Sequence, residues 1–103
     1  MAKKKDDFDV EKCSARLKAV SDSDRLRLIY QLRDGRKNVS TLADGIGAEI
    51  VNVSHHLGVL RAAKVVHSEK VGRFVYYTLN PDLMEQHGNT LTFQLHGARL
   101  IIN

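Results

Sequence analysis

The sequence is poor in cysteine and contains no long apolar run. Cys13 is its only cysteine, so no disulfide can form within the chain, as is usual in the cytoplasm. No stretch approaches the roughly 18 consecutive apolar residues that a membrane-spanning helix requires. The lysines near the N-terminus are not followed by the apolar segment of a secretory signal. We therefore expect a cytoplasmic protein with no membrane partner.

The sequence also lacks the motifs of the common enzyme classes. It has no phosphate-binding loop, no dinucleotide-binding fingerprint and no paired-carboxylate pattern that stands out. Ser54 and His55 are adjacent, so their side chains diverge on a helix, and no acid is placed to orient the histidine. We therefore predict that the protein is not an enzyme and uses no cofactor.

The composition is that of one small globular domain with an excess of basic residues. Of the 103 residues, 43% are hydrophobic and 27% are charged, which is ordinary for a folded protein with one modest core. The formal charge of +4 favours a polyanionic partner, but charge alone does not identify one.

The stretch from Ile50 to Lys64 has the period of an amphipathic helix. Its inward side, at helical spacing, consists of Ile50, Val53, Leu57, Leu60 and Lys64. The opposite side carries Val51, Asn52, His55, Gly58, Val59 and Ala62, with Ser54 and Arg61 on its flank. Its short polar groups, central glycine and lack of a carboxylate suit close contact with the floor of a DNA major groove. His56 falls at the edge of the core, where we expect a structural hydrogen bond.

Three helices are predicted before this stretch. The first, from Phe8 to Val20, places Val10, Cys13, Leu17 and Val20 on one stripe, so Cys13 is expected to pack rather than to react or bind metal. The second, from Asp24 to Asp34, is expected to bury Leu26, Ile29 and Leu32, with Leu28 and Tyr30 partly covered. The third, from Val39 to Ile46, has Asn38 as its cap. Only residues 47–49 separate it from Ile50, which predicts a helix-turn-helix.

A β-hairpin is predicted directly after the helix pair. Its strands span 65–69 and 73–79, the second being rich in aromatic and β-branched residues. Residues 70–72 form the predicted turn, with Gly72 able to adopt positive φ. Such a hairpin is a wing, and its tip presents Lys70 and Arg73.

The sequence after the wing predicts one more helix and a second hairpin. Asn80 and Pro81 are a helix-start signal for a helix over residues 81–87. From residue 90 the pattern alternates, with a candidate turn at His96 and Gly97, so residues 89–103 are expected to form a C-terminal β-hairpin. An isolated hairpin is marginally stable. It is therefore expected to pack on the domain or to pair with a second chain.

Several segments between Leu17 and Leu83 carry a resemblance to a known family. The most specific are Val53-Ser54-His55-His56-Leu57 with Val59-Leu60-Arg61, and Gly72-Arg73-Phe74-Val75-Tyr76-Tyr77 with Leu79. Further matches are Leu17-Lys18-Ala19-Val20, Asp22, Arg25-Leu26-Arg27 and Leu42-Ala43. Together they resemble the ArsR/SmtB family of winged-helix repressors. The resulting prediction is an α+β fold, mainly α, with a charged disordered tail at 1–7, a winged helix-turn-helix domain at 8–88 and the hairpin extension at 89–103.

The resemblance implies a homodimeric repressor that binds an imperfect palindrome in double-stranded DNA until an effector, not identified by the sequence, releases it. It implies that Val51, Asn52, Ser54 and His55 contact bases and phosphates. It places Arg61, Lys64, Lys70 and Arg73 near the DNA backbone. The family's use of its terminal helices, together with the apolar stripes, predicts a dimer interface made by Val10, Cys13, Leu17, Leu91, Phe93 and Leu95.

Departures from the family pattern concern the metal sites and the start of the reading helix. Asn38 and Ser40 occupy the positions of a cysteine pair found in many metal sensors, and an amide and a hydroxyl are poor ligands for soft metals. Asp82, Glu85, His87 and His96 match no known ligand spacing, so no metal site is predicted. Ile50 and Val51 replace more polar residues, which suggests contact with thymine methyl groups. A sensor with another effector site, and a protein-binding module without a DNA role, remain alternatives.

Overall fold

The computed structural model describes residues 9–103, and the predicted tail at 1–7 lies outside the described residues. Within the described range the chain forms four α-helices, one short 3₁₀ helix and six strands. The helices are α1 (Val10–Val20), α2 (Ser23–Gln31), α3 (Val39–Ile46) and α4 (Ile50–Ala62), and the 3₁₀ helix is Leu32–Asp34. The strands are β1 (Lys37–Asn38), β2 (Val66–Val71), β3 (Phe74–Leu79), β4 (Met84–His87), β5 (Thr90–Leu95) and β6 (Ala98–Ile102).

The first three helices begin at residues whose side chains cap them. Asp9 accepts a hydrogen bond from the Lys12 backbone N–H, and Asp22 accepts from the N–H groups of Asp24 and Arg25. Asn38 Oδ1 accepts from the Thr41 N–H at 2.8 Å. These bonds satisfy backbone donors that a helix cannot pair internally. The predicted bounds and cap of α3 are thereby confirmed.

Helix α2 presents a different stripe to the core from the predicted one. Leu28 is fully buried with Ile29 and Leu32, whereas Leu26 is 40% exposed and Tyr30 is 52% exposed. The predicted burial of Leu26 is therefore wrong. Leu26 and Leu28 both lie within one helical turn before Ile29, so either could share its stripe, and packing against the other helices selects Leu28.

One core is shared by the helices and both sheets. It includes Cys13 from α1, which is 4% exposed and packs as a small apolar residue, as predicted. Its largest fully buried side chains are Phe93, Leu28, Ile29, Leu42, Leu57, Leu60 and Leu91. The core therefore holds α4 and the C-terminal strands in one unit.

The wing is longer than predicted and carries a third strand. Strands β2 and β3 pair antiparallel up to Val71 and Phe74, and β1 pairs with the other edge of β3. The turn therefore consists of Gly72 and Arg73, and Gly72 has the predicted positive φ of 63°. Val71, assigned to the turn by the sequence, ends β2 instead.

The predicted fifth helix is absent from the described residues, where β4 takes its place. Asn80 Oδ1 accepts a hydrogen bond from the Asp82 N–H at 3.0 Å, and the backbone carbonyl of Asn80 accepts one from the Met84 N–H at 2.8 Å. The capping signal therefore specifies a single turn. A helix of seven residues before Gly88 is too short to be stable on its own, whereas Met84 can pair with Phe93 in β5.

The C-terminal hairpin is present and belongs to a three-stranded sheet in the order β4-β5-β6. His96 and Gly97 form its turn, with Gly97 at φ 91°. The alternation was predicted correctly, since Leu91, Phe93 and Leu95 are all buried. With two three-stranded sheets the described chain is α+β rather than mainly α. The predicted domain boundary at 88/89 falls inside the second sheet.

Candidate nucleic-acid interface

Helix α4 has one fully buried side and one exposed side. Val53, Leu57 and Leu60 are completely buried, as the period predicts. On the opposite side Val51 is 78% exposed, and the side chain of His55 is also exposed. The predicted inward placement of Ile50 and Lys64 is wrong. Ile50, in the first turn of α4, is 52% exposed, and Lys64, beyond the end of α4, is exposed as well. The exposed side of α4 therefore begins with two apolar residues.

The turn between α3 and α4 is short and depends on glycine. Gly47 adopts the left-handed conformation with φ 68°, and the Ala48 N–H donates to the Ala43 carbonyl at 3.0 Å. A Cβ placed on Gly45 would lie 2.8 Å from Gln31 Oε1, so α3 approaches α2 closely there. Gly47 thus ends α3 and lets the chain turn into α4 within three residues, while Gly45 leaves room for the Gln31 side chain against α3.

His56 links α4 to α2 through a hydrogen bond with Arg25, which is the structural role predicted for it. Arg25 Nη1 lies 3.1 Å from His56 Nδ1, and Arg25 Nε donates to the Ala19 carbonyl at 2.6 Å. With Nδ1 accepting from the guanidinium, Nε2 carries the hydrogen and faces the Asp22 carboxylate at 3.7 Å. This network leaves the neighbouring His55 as the histidine that faces outward.

Asp22 is held in its charged form by the same network. The backbone N–H of Arg25 lowers the pKa of Asp22, and the neighbouring His56 ring and Arg25 guanidinium lower it further, despite the opposing effect of burial. The carboxylate therefore caps α2 and faces His56 at neutral pH.

The C-terminal end of α4 is closed by a motif that the sequence did not signal. Lys64 adopts a left-handed φ of 67°, with its N–H donating to the Arg61 carbonyl at 3.0 Å. The Val65 N–H donates to the Leu60 carbonyl at 2.9 Å. Such a pair of bonds normally ends a helix at glycine. The buried Asn80 side chain stabilises the lysine here by donating to the Lys64 carbonyl at 2.7 Å.

All eight residues that the sequence assigned to DNA contact are exposed. They are Val51, Asn52, Ser54, His55, Arg61, Lys64, Lys70 and Arg73. Arg61 Nη1 lies 3.4 Å from Ser68 Oγ in β2, so the end of α4 is linked to the wing. Arg73 occupies the wing turn, with its guanidinium carbon 5.8 Å from the centre of the Phe74 ring. Exposure is what DNA contact requires, and their role stays a prediction.

The wing tip also presents apolar side chains that sequence reasoning missed. Phe74 is 48% exposed, Val71 is 41% exposed and Val75 is 36% exposed. In the sequence, Phe74 and Val75 were interpreted only as aromatic and β-branched residues that favour a strand. Arg36, also missed, stacks over Tyr76 at 4.5 Å and pairs with Glu69 at 3.3 Å.

The residues considered as metal ligands are not gathered into a site. Asn38 is engaged as the cap of α3. His87 Nε2 lies 3.7 Å from Glu85 Oε2, and both side chains are exposed. Between residues 9 and 103 no group of three His, Cys, Asp or Glu residues could hold a metal ion.

The residues predicted for the dimer interface divide into two groups. Cys13, Leu91, Phe93 and Leu95 are buried in the core of the chain itself, so their side chains are not available to a partner. Val10 and Leu17 of α1 are exposed at 62% and 40%. A dimer interface on α1 thus remains a prediction for these two residues.

The fold and the exposed surface define a class of protein. A helix-turn-helix with an outward-facing second helix, followed by a wing with basic residues at its tip, is a winged helix-turn-helix. In the described part of the chain no helix is long and apolar enough to cross a membrane.

Comparison with known proteins gives the family. A family model described as bacterial regulatory protein, arsR family, matches residues 22–68. The chain is 31% identical over 72 residues to the transcriptional repressor SdpR of Bacillus subtilis (strain 168), a match that covers 70% of this chain and 80% of SdpR. It is 41% identical over 63 residues to the transcriptional regulator NmtR of Mycobacterium tuberculosis (strain ATCC 25618 / H37Rv), covering 61% of this chain but 52% of NmtR.

A solved structure supports the fold. The homodimeric winged helix-turn-helix DNA-binding domain of Mb0332 from Mycobacterium bovis has a TM-score of 0.68 over 71% of this chain and 68% of that one, at 22% identity. The chain belongs to the arsR family of bacterial regulatory proteins. This is a family of DNA-binding transcriptional regulators and not of enzymes, and the resemblance predicted from the sequence is confirmed.

Proposed function

We propose that this protein is a homodimeric repressor that binds a palindromic operator in double-stranded DNA in the cytoplasm. The observation that carries the proposal is that one side of α4 is buried in the core and the opposite side is exposed. Its core side is completely buried at Val53, Leu57 and Leu60, while Asn52, Ser54 and His55 face outward. A helix held in this way can enter a major groove without any rearrangement of the domain.

The exposed side chains suggest how sequence would be read. Asn52 can form a bidentate pair with adenine, and His55 and Ser54 can hydrogen-bond to base edges. Ile50 and Val51 offer apolar contact to thymine methyl groups. The proposal therefore favours operator half-sites that contain A·T pairs.

The basic residues would supply the part of the affinity that does not depend on sequence. Arg61 and Lys64 lie at the end of α4, and Lys70 and Arg73 lie on the wing, where they can contact phosphates on either side of the groove. Each neutralised phosphate releases condensed counterions, so the affinity should fall steeply with salt. The proposal places no metal at the position of the sensors' cysteine pair, where Asn38 caps α3 instead.

The test is selection of bound duplexes from a random pool, followed by affinity measurements with His55→Ala. We expect the selected duplex to bind far more tightly than bulk DNA, and the variant to lose about 10- to 100-fold on that duplex. His87→Ala is the matched control, since His87 is an exposed histidine on β4. A selected pool without any consensus, or equal losses in both variants, would contradict the proposal.

A further inference from the structure

The C-terminal sheet has two free edges of different character. The order β4-β5-β6 leaves β4 and β6 without an outer neighbour among the described residues. Strand β4 carries the exposed polar residues Glu85, Gln86 and His87, which discourage pairing with another strand. Strand β6 carries one charge, Arg99, and its Ile101 is 57% exposed. Such an apolar edge is a template for strand addition unless it is covered.

The backbone N–H and carbonyl groups of Arg99 and Ile101 point away from β5, towards the free edge of β6. Gln94 donates its N–H to the Leu83 carbonyl at 2.7 Å, and its own carbonyl accepts from Arg16 at 3.2 Å. Both backbone groups of Gln94 therefore point away from β6. Its register partner Arg99 must then point its N–H and carbonyl away from β5, and by alternation so must Ile101.

An apolar groove of about 540 Å³ lies along the inner face of β6. Leu91 of β5 adjoins it, Leu100 and Ile102 form one wall, and Leu26 and Tyr30 of α2 form part of the other. The two β6 side chains that line the groove are half buried. A strand added beyond β6 would bring further side chains beside this groove.

We propose that β6 pairs with β6 of a second copy of this chain, antiparallel and with Leu100 opposite Leu100, to form a six-stranded sheet across a two-fold axis. This inference rests on the homodimer of the proposed function and assigns its interface. The register is the one in which the outward groups of Arg99 and Ile101 face each other, as a hydrogen-bonded pair requires. It places the partner's Ala98, the partner's Leu100 and the partner's Ile102 beside the groove.

The same register is favourable for charge. It sets Arg99 opposite the partner's Ile101, so that no like charges are directly opposed, whereas a register centred on Arg99 would oppose two guanidinium groups. The long stem of the arginine can lie along the isoleucine while its charged end stays in water.

The charge at position 101 tests this register. Ile101→Lys places a lysine opposite the partner's Arg99, and the two-fold axis repeats this like-charge pair. We expect the dissociation constant of the dimer, measured by sedimentation equilibrium, to rise about tenfold. Ile101→Glu makes the same loss of apolar area but forms an opposite-charge pair, so it should dimerise more tightly than the lysine variant. The double variant Arg99→Glu with Ile101→Lys should restore dimerisation, with circular dichroism verifying the fold of each variant.

Amide hydrogen exchange of the wild-type chain tests the hydrogen bonds without any substitution. The N–H groups of Leu100 and Ile102, which bond to β5, should be protected at every concentration. Those of Arg99 and Ile101 should become protected only at concentrations where the dimer forms.

The outcomes separate this inference from the proposed function. A wild-type chain that stays monomeric with and without operator DNA would overturn both. A stable dimer whose dissociation constant is the same in the lysine and glutamate variants, and in which the amides of Arg99 and Ile101 exchange freely, would overturn only the β6 interface. Loss of that dimer in Leu17→Lys would then assign it to α1.

Discussion

The two sheets of this protein have the same size but differ in what they bury. Each has three antiparallel strands, and the two-residue turns, one in the wing and two in the C-terminal sheet, all contain glycine. The middle strand β5 of the C-terminal sheet buries every second residue, whereas β3, the middle strand of the wing, has no fully buried residue. The C-terminal sheet is therefore part of the core. The wing contacts the core at Val66, at the start of β2, and leaves the side chains at its tip available for contacts outside the chain.

The largest effect should come from removing the central side chain of β5. Phe93 is 1% exposed, and Phe93→Ala should lower the free energy of unfolding by about 3–5 kcal/mol, because it removes a buried ring and leaves a cavity. Phe74→Ala on the wing is the matched control, since Phe74 is 48% exposed and should cost less than about 1 kcal/mol. Urea denaturation measures both, and similar losses would contradict the division between the two sheets.

An intermediate effect is expected on DNA binding, where substitutions in the wing should matter and a substitution in the C-terminal sheet should not. Arg73→Ala and Lys70→Ala should each weaken binding to the selected duplex and reduce the slope of log affinity against log salt by about one. Phe93→Leu, which keeps an apolar side chain in the other sheet, should leave that slope unchanged. A slope that is the same in all three variants would remove the wing from the DNA interface.

The smallest effect concerns the acid sensitivity of the wing sheet. The side-chain hydrogen bond from Lys37, and then its charge, lower the pKa of Asp34, and Lys37 lies in β1. A lowered pKa means that the ionised carboxylate stabilises the fold above its ordinary pKa, and that this contribution is lost as the pH falls through the folded value. Asp34→Asn should therefore make the free energy of unfolding slightly less dependent on pH in the acid range.

Because Asp34 is largely exposed, the difference should be small and should diminish in high salt. Asp44→Asn, at another exposed aspartate, provides the control. An acid limb of the stability curve that is steeper in Asp34→Asn than in the wild type would contradict the assigned role of Lys37.

Much of the fold was predictable because its signals are local. The Asn38 cap, the glycine-rich turn after α3 and the alternation of Leu91, Phe93 and Leu95 each specify a structure within a few residues. The buried side of α4 followed from helical period alone at Val53, Leu57 and Leu60. The exposure of His55 followed from the same period.

The errors occurred where packing decides between local alternatives. Asn80 and Pro81 start one helical turn, but the continuation as β4 depends on pairing with β5, which is later in the chain. The choice between Leu26 and Leu28 in α2 depends on the neighbouring helices. The left-handed Lys64 is stabilised by Asn80, and no signal near Lys64 in the sequence indicates such a partner.

The most direct test is an NMR titration of the protein with the selected operator duplex. If α4 occupies the major groove, the backbone amides of Asn52, Ser54 and His55 should show the largest shifts, with those of the wing turn next. Unchanged α4 amides, with the largest shifts in the C-terminal sheet, would contradict the account.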